Sequence, residues 1–438
     1  MKLRLLPLAF SLAAAFSASV QAQSLAQLYE AAKGYDATYK AAQSQYQANL
    51  AKAEQAKAAM RPTVGLGSAI SEANFDNRTS SNVDQRFGTR SATFSASQPL
   101  YRPANQATYA QGLKQLDLAQ AQLKTAEQDL IVRVSQAYFE VLTAQESLAF
   151  VKAQKSAVSE QLAAAKRNFE VGTSTITDTR EAQARFDLVT AQEIAAENDL
   201  RVKKLALDQL VGTKDAQPVA IRTGANLQQL VSGDIETWVQ QAGEQSPAIA
   251  LARSGLEVAQ LETQKAKAGH LPTLDLTGSY GMTRYQGDPA SSRVNNNTAV
   301  IGLSFNLPLY AGHATQNRIQ ETVALEEKAR NDLEGAQRTV AQATRTAFFG
   351  VQSGLGQVKA LEAAEASSQS ALDANKLGYQ VGVRINIDVL NSQSQLFQTK
   401  RDLTKARYDV LLGQMKLRQA AGVLKAEDVQ RIGAMLDK

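Results

Sequence analysis

One motif occurs twice in the sequence, and its two copies constrain the fold more than any other feature. In each copy Val-Gly precedes a six-residue tract that ends in Asp, and the equivalent positions, Gly172 with Gly382 and Asp178 with Asp388, are separated by 210 residues. Both copies lie between long stretches of helical pattern. A glycine after a helix suits the left-handed C′ position, and an aspartate before the next helix suits its N-cap. Each copy therefore predicts a helix-turn-helix tip, with Asp178 and Asp388 as N-caps.

The same spacing holds far from the tips, which indicates an internal duplication. Three further segments recur at this spacing or within one residue of it: Pro62-Thr63 with Pro272-Thr273, Pro99-Leu100-Tyr101 with Pro308-Leu309-Tyr310, and Ala137-Tyr138-Phe139 with Ala347-Phe348-Phe349. The sequence therefore predicts a first structural repeat at residues 23–232 and a second at 233–422. We expect the short C-terminal tail, residues 423–438, to lie across the outside of the helices.

The N-terminus has the pattern of a secretory signal peptide. Lys2 and Arg4 precede an apolar run at residues 5–16, and residues 20–22, Val-Gln-Ala, offer small side chains for cleavage. Residues 1–22 are therefore predicted to be a signal peptide. No later stretch reaches the roughly 18 apolar residues that a membrane-spanning helix needs. Any membrane span would have to consist of β-strands.

The composition argues against catalysis and metal binding. The chain has no cysteine and two histidines, His270 and His313, so disulfides, thiolate metal sites and cysteine nucleophiles are excluded. No nucleophile and base, and no set of metal ligands, stand at a workable spacing. We expect both histidines to be structural and predict no cofactor, no metal and no enzymatic activity. Basic residues are not interleaved with aromatic ones, so nucleic acid is not an expected partner.

Four segments alternate between apolar residues and small or polar ones, which is typical of strands with two different faces. In the first segment Val64, Leu66 and Ile70 share a face, and in the second Phe94 and Leu100 do. The predicted strands cover about residues 63–75, 89–101, 273–285 and 298–309.

The rest of the sequence predicts long helices joined at the tips, which fall at about residues 170–178 and 380–388. A helix over residues 104–169 would be about 100 Å long at 1.5 Å per residue. Two stretches space apolar or small residues at alternating intervals of four and three, as in a coiled coil. They are Leu130, Val134, Ala137, Val141, Ala144, Leu148 and Val151, and then Val340, Thr344, Ala347, Val351, Gly354, Val358 and Leu361.

The small residues in these stretches leave two interpretations. Residues such as Ala144 and Gly354 would let helices pack side by side closely enough to wall a hollow cylinder. The alternative is an ordinary coiled-coil core. The strands favour the cylinder, because four strands cannot close a sheet and open edges leave backbone groups unsatisfied in lipid. Two chains would supply eight strands around a filled interior, whereas three would supply 12 and leave a lumen. We therefore predict a homotrimer.

The residues resemble the TolC-like outer-membrane efflux proteins over essentially the whole mature chain. The most specific segments are Gly-Tyr-Gln-Val-Gly-Val-Arg at 378–384 with Ile-Asp-Val-Leu at 387–390, Gly-His-Leu-Pro-Thr-Leu-Asp-Leu-Thr at 269–277, and Gly-Leu-Ser-Phe-Asn-Leu-Pro-Leu-Tyr at 302–310. The resemblance implies a mixed α+β membrane protein that is mainly α. Its trimer would form a 12-stranded outer-membrane β-barrel, with four strands per chain, continued by a long periplasmic α-helical barrel.

The resemblance also implies a function. The chain would be the passive trans-periplasmic exit duct of a tripartite efflux pump or type I secretion system in a Gram-negative bacterium. Its partners would be outer-membrane lipid, a periplasmic adaptor (membrane fusion) protein and an inner-membrane pump or ABC translocase. The alternative is a periplasmic structural or adaptor protein that docks through its helical hairpins. Strands with an apolar face argue against that alternative.

In that family, contacts among the tip residues close the periplasmic end. The resemblance implies that Arg384 and Tyr379 link to Asp178 and Thr177. An arginine beside an aspartate can form charge-assisted hydrogen bonds, which hold a tip better when they are partly buried.

The resemblance further implies that Asp388 forms an inward ring of three carboxylates, with a plain helix N-cap as the alternative role. Family members can carry a second aspartate three residues later, where the same helix face would stack a second acidic ring. This chain has Asn391 at that position. The substitution argues against a strong cation site at the entrance.

Overall fold

The computed structural model describes residues 23–77, 83–219, 233–286 and 295–436. The predicted signal peptide lies outside these residues. Within them the chain forms α1 (Leu25–Tyr35), α2 (Ala37–Ala58), β1 (Thr63–Asn77), β2 (Val83–Tyr101), α3 (Pro103–Glu170), α4 (Ile176–Val211), α5 (Ile235–Gln245), α6 (Pro247–Lys267), a 3₁₀ helix (Ala268–His270), β3 (Thr273–Gln286), β4 (Asn296–Asn306), α7 (Ala314–Gln380), α8 (Asn386–Ala420) and α9 (Ala426–Leu436). None of the helices among the described residues combines the length and the apolar character that crossing a membrane requires.

The order of the elements repeats, which confirms the predicted duplication. The series α1, α2, β1, β2, α3, α4 is followed by the series α5, α6, β3, β4, α7, α8. The two long helices have nearly equal lengths, 68 residues for α3 and 67 for α7. Pro103 begins α3, at a position where a missing backbone N–H costs nothing. At 1.5 Å per residue each long helix spans about 100 Å.

The chain divides into two compact units. The tip unit comprises the described residues of Met1–Lys40, Thr125–Ser246 and Val340–Lys438, and the sheet unit comprises those of Ala41–Lys124 and Pro247–Thr339. The tip unit contains both helix-turn-helix tips, and the sheet unit contains all four described strands.

The sheet unit has one antiparallel sheet with the strand order β1-β2-β3-β4. Its register places Leu66, Phe94, Tyr280 and Ala299 in one row across the four strands. Because side chains alternate along a strand, this register gathers the apolar residues of every strand on one face and mainly serine, threonine and glycine on the other. The apolar face contains Val64, Leu66, Ile70, Ala92, Phe94, Ala96, Leu274, Leu276, Tyr280, Met282, Ile301, Leu303 and Phe305.

The apolar face is exposed in a single chain. Leu66 is 79% exposed and Ile301 is 80% exposed. The strands β1 and β4 stand at the two edges of the sheet. A large exposed apolar patch marks an interaction surface, and a free strand edge can pair with another strand.

Leu100 lies at an irregularity of the pairing between β2 and β3 and has no partner in their register. The register shifts between Pro99 and Tyr101, and Tyr101 rather than Leu100 is the partner of Leu274. A bulge inserts one extra residue into a strand and thereby reverses the alternation beyond it.

An ion pair connects the end of β2 to β3 inside the sheet unit. Arg102 donates from Nε and Nη2 to the two carboxylate oxygens of Asp275 at 2.8 and 2.6 Å. The Asp275 residue is buried. Because Arg102 immediately precedes α3, this bidentate bond fixes where the long helix starts relative to the sheet.

Asp36 fixes the junction of α1 and α2 within the tip unit. Its Oδ1 accepts a hydrogen bond from the backbone N–H of Tyr39 at 2.7 Å. Arg133 of α3 donates to both carboxylate oxygens at 2.9 and 3.0 Å. The Arg133 guanidinium, with this backbone hydrogen bond, holds the pKa of Asp36 below its usual range, although burial opposes the shift.

The C-terminal tail contains the helix α9, which packs against α1. Val429 and Ile432 turn into the interior, as does Leu424 just before the helix. Asp428 accepts a hydrogen bond from Arg418 of α8 at 2.9 Å. The tail is therefore attached both by apolar burial and by an ion pair.

Candidate functional site at the helix tips

Both tips have the same backbone turn. At the first tip Gly172 has a φ of 78°, and the backbone N–H of Thr173 donates to the carbonyl of Asn168 at 2.8 Å. At the second tip Gly382 has a φ of 81°, and Val383 donates to Gly378 at 2.9 Å. This pattern is a Schellman motif, which needs a residue in the left-handed conformation. Glycine adopts that conformation without steric cost.

Asp178 is not an N-cap, so this prediction is wrong. The helix α4 begins at Ile176, its N-cap is Thr175, and Asp178 is the third helical residue. The carboxylate accepts hydrogen bonds from the hydroxyls of Ser174 and Thr175, each at 2.8 Å, and from the backbone N–H of Thr175 at 3.0 Å. These donors, led by Ser174, lower the pKa of Asp178. A capping box that already has a threonine at its first position explains the earlier helix start.

Asp388 is not an N-cap either. The helix α8 begins at Asn386, and the preceding Ile385 makes no side-chain capping bond. Asp388 lies in the first helical turn, where a negative charge favours the helix dipole. Its Oδ2 is 3.7 Å from Nη1 of Arg384. The second tip therefore lacks the network of hydroxyl donors that the first tip has.

The two hairpins of one chain are joined by side-chain hydrogen bonds. Gln419 of α8 donates to Asp129 of α3 at 2.6 Å. Three further bonds lie nearer the tips: Nδ2 of Asn168 to the hydroxyl of Tyr379 at 3.3 Å, Nη2 of Arg185 to Oδ1 of Asn391 at 2.6 Å, and Nε2 of Gln154 to Oγ of Ser394 at 3.1 Å. The bond from Arg185 is charge-assisted and therefore the strongest of the three.

The gate contacts that the family resemblance implies are not formed within this chain. In the described residues Tyr379 pairs with Asn168 rather than with Thr177, which is exposed. Arg384 is likewise not bonded to Asp178, whose carboxylate is occupied inside its own hairpin. Asn168 and Arg185 were not predicted from the sequence, since no local pattern marks their partners more than 200 residues away.

Apolar side chains behind the tips hold α8 against the first hairpin. Leu390 is fully buried and belongs to one cluster with residues of α3 and α4, among them Leu162 and Val189. On its other side α8 packs Val389 against Leu372 of α7. The start of α8 is thus wedged between the first hairpin and α7.

Asn386, the first residue of α8, is buried without a polar partner. It is 2% exposed, and neither atom of its amide has a hydrogen-bond partner among the described residues. An unpaired buried amide costs about 1–3 kcal/mol. The burial of Leu390 in the apolar cluster offsets this cost.

Both tips expose apolar side chains, and at the first tip these are Phe169, Val171 and Ile176. At the second tip Val383 is 79% exposed, and Leu377, Val381 and Ile385 are also exposed. Exposed apolar residues that lie together indicate a contact surface.

Both histidines belong to the sheet unit. His270 ends the 3₁₀ helix, and Nδ1 of His313 is 3.2 Å from Oε1 of Gln316. His313 also packs edge-on against Tyr310. No group of three or more potential metal ligands occurs in the described part of the chain.

Known proteins share both the sequence and the fold. The sequence profile of the outer membrane efflux protein family matches residues 28–213 and 238–423, one match in each repeat. The outer membrane protein TolC of Vibrio cholerae is 34% identical over 436 residues, which are 99% of this chain and 98% of that protein. The proteases secretion protein PrtF of Dickeya chrysanthemi is 29% identical, over 95% of this chain and 92% of that protein.

Solved structures have the same architecture. The outer membrane protein VceC of Vibrio cholerae superimposes with a TM-score of 0.77 at 20% identity, over 91% of this chain and 96% of VceC. The CmeC outer membrane channel of Campylobacter jejuni gives 0.78 at 17% identity, over 94% and 89% of the two chains. With the duplicated fold and these relatives, the chain belongs to the outer membrane efflux protein family: it is an outer-membrane channel for efflux or type I secretion that extends into the periplasm.

Proposed function

We propose that this chain is the passive exit duct of a tripartite efflux pump or type I secretion system and that it opens at its helix tips. The observation that carries the proposal is the pair of polar contacts between hairpins, Asn168 with Tyr379 and Arg185 with Asn391. Such contacts can be exchanged for water without breaking the long helices. The relatives compared above are channels and not enzymes, which supports the expectation of no catalytic activity.

These contacts have the energy expected of a gate that a partner can open. A neutral hydrogen bond contributes about 1 kcal/mol, and one to a charged group about 1.5–3 kcal/mol. The sum for one chain is a few kcal/mol. A partner that binds with micromolar affinity releases about 8 kcal/mol, which is sufficient to offset it.

Arg384 and Asp388 are proposed to complete the gate between chains. Their own pair is exposed, so within one chain it contributes at most about 1 kcal/mol. Both groups therefore retain capacity for a neighbouring chain, where Arg384 would meet Asp178 or the exposed Thr177. Asp388 would supply one carboxylate of a threefold ring, with the neutral Asn391 one turn further along α8.

The assembly is proposed to be a homotrimer. The sheet of one chain exposes its apolar face and has two free edges, formed by β1 and β4. Pairing β1 of one chain with β4 of the next removes every edge and leaves the apolar face in contact with outer-membrane lipid. Three chains close a sheet of 12 strands that is wide enough for a lumen.

The proposed partners are a periplasmic adaptor (membrane fusion) protein and an inner-membrane pump or ABC translocase. The exposed apolar residues of the second tip, Leu377, Val381, Val383 and Ile385, support this proposal. A periplasmic loop without a partner gains nothing from exposing four large apolar side chains. The adaptor would cover them and pull on the hairpin that carries Tyr379 and Arg384.

Electron microscopy and planar-bilayer recordings of the detergent-purified protein test the proposal together. We expect threefold particles with about 100 Å of helix, and Arg384→Ser and Tyr379→Phe should each raise the open fraction of the pore. The control is Arg330→Gln, which removes an exposed pair with Glu327 on α7. Unchanged single-channel behaviour in both tip variants would contradict the gate. A soluble, non-conducting monomer would instead favour the adaptor interpretation.

A further inference from the structure

A cavity of about 200 Å³ lies between α3, α4 and α8, within the tip unit. Arg185 of α4 and Arg401 of α8 line it, together with apolar groups that include Phe150 and Phe397. The volume corresponds to roughly six or seven water molecules at about 30 Å³ each. Pockets for drug-sized ligands are larger, so the cavity suits a small guest.

The two arginines have unused capacity for an anion. In the described structure Arg185 donates from Nη2 to the neutral amide of Asn391 at 2.6 Å. Arg401 donates to the amide oxygen of Gln398, and its Nε is 3.9 Å from Oδ1 of Asp402. A guanidinium has five N–H donors in a planar fork that matches a carboxylate. Most of these donors have no hydrogen-bond partner among the described residues.

The remaining lining has two kinds of groups. The rings of Phe150 and Phe397 and the side chain of Leu188 provide apolar contact. The side chains of Gln154 and Gln192 provide amides that can donate to or accept from a guest. A guest that fits this lining has one charged end and one apolar end.

We propose that this cavity is a binding site for small organic anions that combine a carboxylate with an apolar body. Arg185 and Arg401 hold the carboxylate, and Phe150 and Phe397 contact the apolar part. The exchange is favourable because a carboxylate accepts two parallel bonds from a guanidinium, whereas the amide of Asn391 accepts one. Since Arg185 also joins the hairpins through Asn391, the guest competes with that contact.

Binding of benzoate to the purified full chain in a non-ionic detergent tests the site, without any need for a conducting pore. Titration followed by ligand-observed NMR should show saturable binding of benzoate. Benzamide has the same shape without the charge and should bind at least about tenfold more weakly, because it replaces the ionised, bidentate acceptor by one neutral oxygen. Arg185→Gln and Arg401→Gln should each weaken benzoate binding by a similar factor. Arg330→Gln, outside the cavity, should not.

Arg185→Lys distinguishes the loss of the planar guanidinium donors from a general loss of folding. It keeps the positive charge but not the planar donors, so it should bind benzoate with an intermediate affinity. Circular dichroism of each variant should match that of the parent protein. Equal affinities for benzoate and benzamide, unchanged affinity in Arg185→Gln, or no saturable benzoate binding to the parent protein would overturn the proposal.

Discussion

Gly212 lies so close to Tyr35 that the position leaves no room for a Cβ atom. It follows α4 with a φ of 74°, and a Cβ at this position would lie 2.4 Å from Cγ of Tyr35. Gly172 has nearly the same φ, 78°, but a Cβ there would meet nothing within 4 Å. The two positions therefore separate backbone strain from steric overlap.

Gly212→Ala should destabilise the protein more than Gly172→Ala. Both variants hold alanine in the left-handed region at a cost of about 1–3 kcal/mol. Overlap with the Tyr35 ring adds about 1–3 kcal/mol in Gly212→Ala alone. Thermal unfolding followed by circular dichroism measures the difference, and equal melting temperatures would show that Tyr35 moves aside at no cost.

Asp36 should make part of the stability dependent on pH. Its pKa in the folded protein lies below the ordinary value of 3.8. The carboxylate therefore contributes stability above about pH 5, and this contribution is lost as the pH falls through the folded pKa. Asp36→Asn preserves a good capping residue but removes the charge paired with Arg133.

The melting temperature of Asp36→Asn should be below that of the parent protein at pH 7 and approach it as the pH is lowered below 4. A hydrogen bond to a charged group contributes about 1.5–3 kcal/mol, and the partial exposure of Arg133 argues for the lower end. Asp332→Asn is the matched control, since Asp332 forms an exposed pair with Lys328. If the difference in melting temperature between Asp36→Asn and the parent protein stays constant between pH 7 and pH 3, the role of the charge is contradicted.

Among the elements, α8 combines an apolar attachment with an unpaired polar group near its start. Its buried Leu390 attaches it to α3 and α4, while Asn386 at its start is buried without a polar partner. The helix is thus secured by apolar contact and weakened by polar groups at the same end. Small changes in packing there should alter its position more than equal changes elsewhere.

Leu390→Ala should loosen α8. Replacing a fully buried leucine by alanine costs about 2–5 kcal/mol, part of it from the cavity that remains. Ile385→Ala, at a residue 60% exposed, is the control and should change stability by less than about 0.5 kcal/mol. Hydrogen exchange of the first turns of α8 should accelerate in Leu390→Ala only. Equal exchange rates in the two variants would mean that α8 is held by other contacts.

At the scale of the whole molecule, the absence of native cysteine makes the proposed assembly directly testable. The sheet of one chain ends in β1 on one side and in β4 on the other. Closure by three chains brings these two strands together across each interface. If every chain carries one cysteine on β1 and one on β4, the β1 cysteine of one chain can form a disulfide with the β4 cysteine of the next.

Ala69→Cys on β1, combined in turn with Thr298→Cys, Val300→Cys and Gly302→Cys on β4, should yield covalent dimers and trimers. All four positions lie on the polar face, and a scan covers the unknown register. Ile70→Cys, on the apolar face, is the control partner and should cross-link poorly because its side chain points the other way. Non-reducing gel electrophoresis gives the size, and tetramers or larger ladders would contradict threefold closure.

Local patterns in the sequence predicted much of the fold. They did not predict contacts between residues that lie far apart in the sequence. The alternation around Leu66 and the positive φ of Gly172 follow from periodicity and turn chemistry, which act within a few residues. The start of α4 was misplaced because Thr175 rather than Asp178 caps the helix. Arg185 was not anticipated because its partner Asn391 is 206 residues away.

The unequal capping of the two tips affects how each can evolve. At the first tip Ser174 and Thr175 share one acceptor, Asp178, so a substitution of Asp178 breaks three bonds at once. At the second tip Val383 and Ile385 project into solvent and can be exchanged one at a time without loss of folding. We therefore expect the first copy to be the more conservative one and the second to be the more permissive one. Mutations that adapt the protein to a new partner should accumulate in the permissive copy.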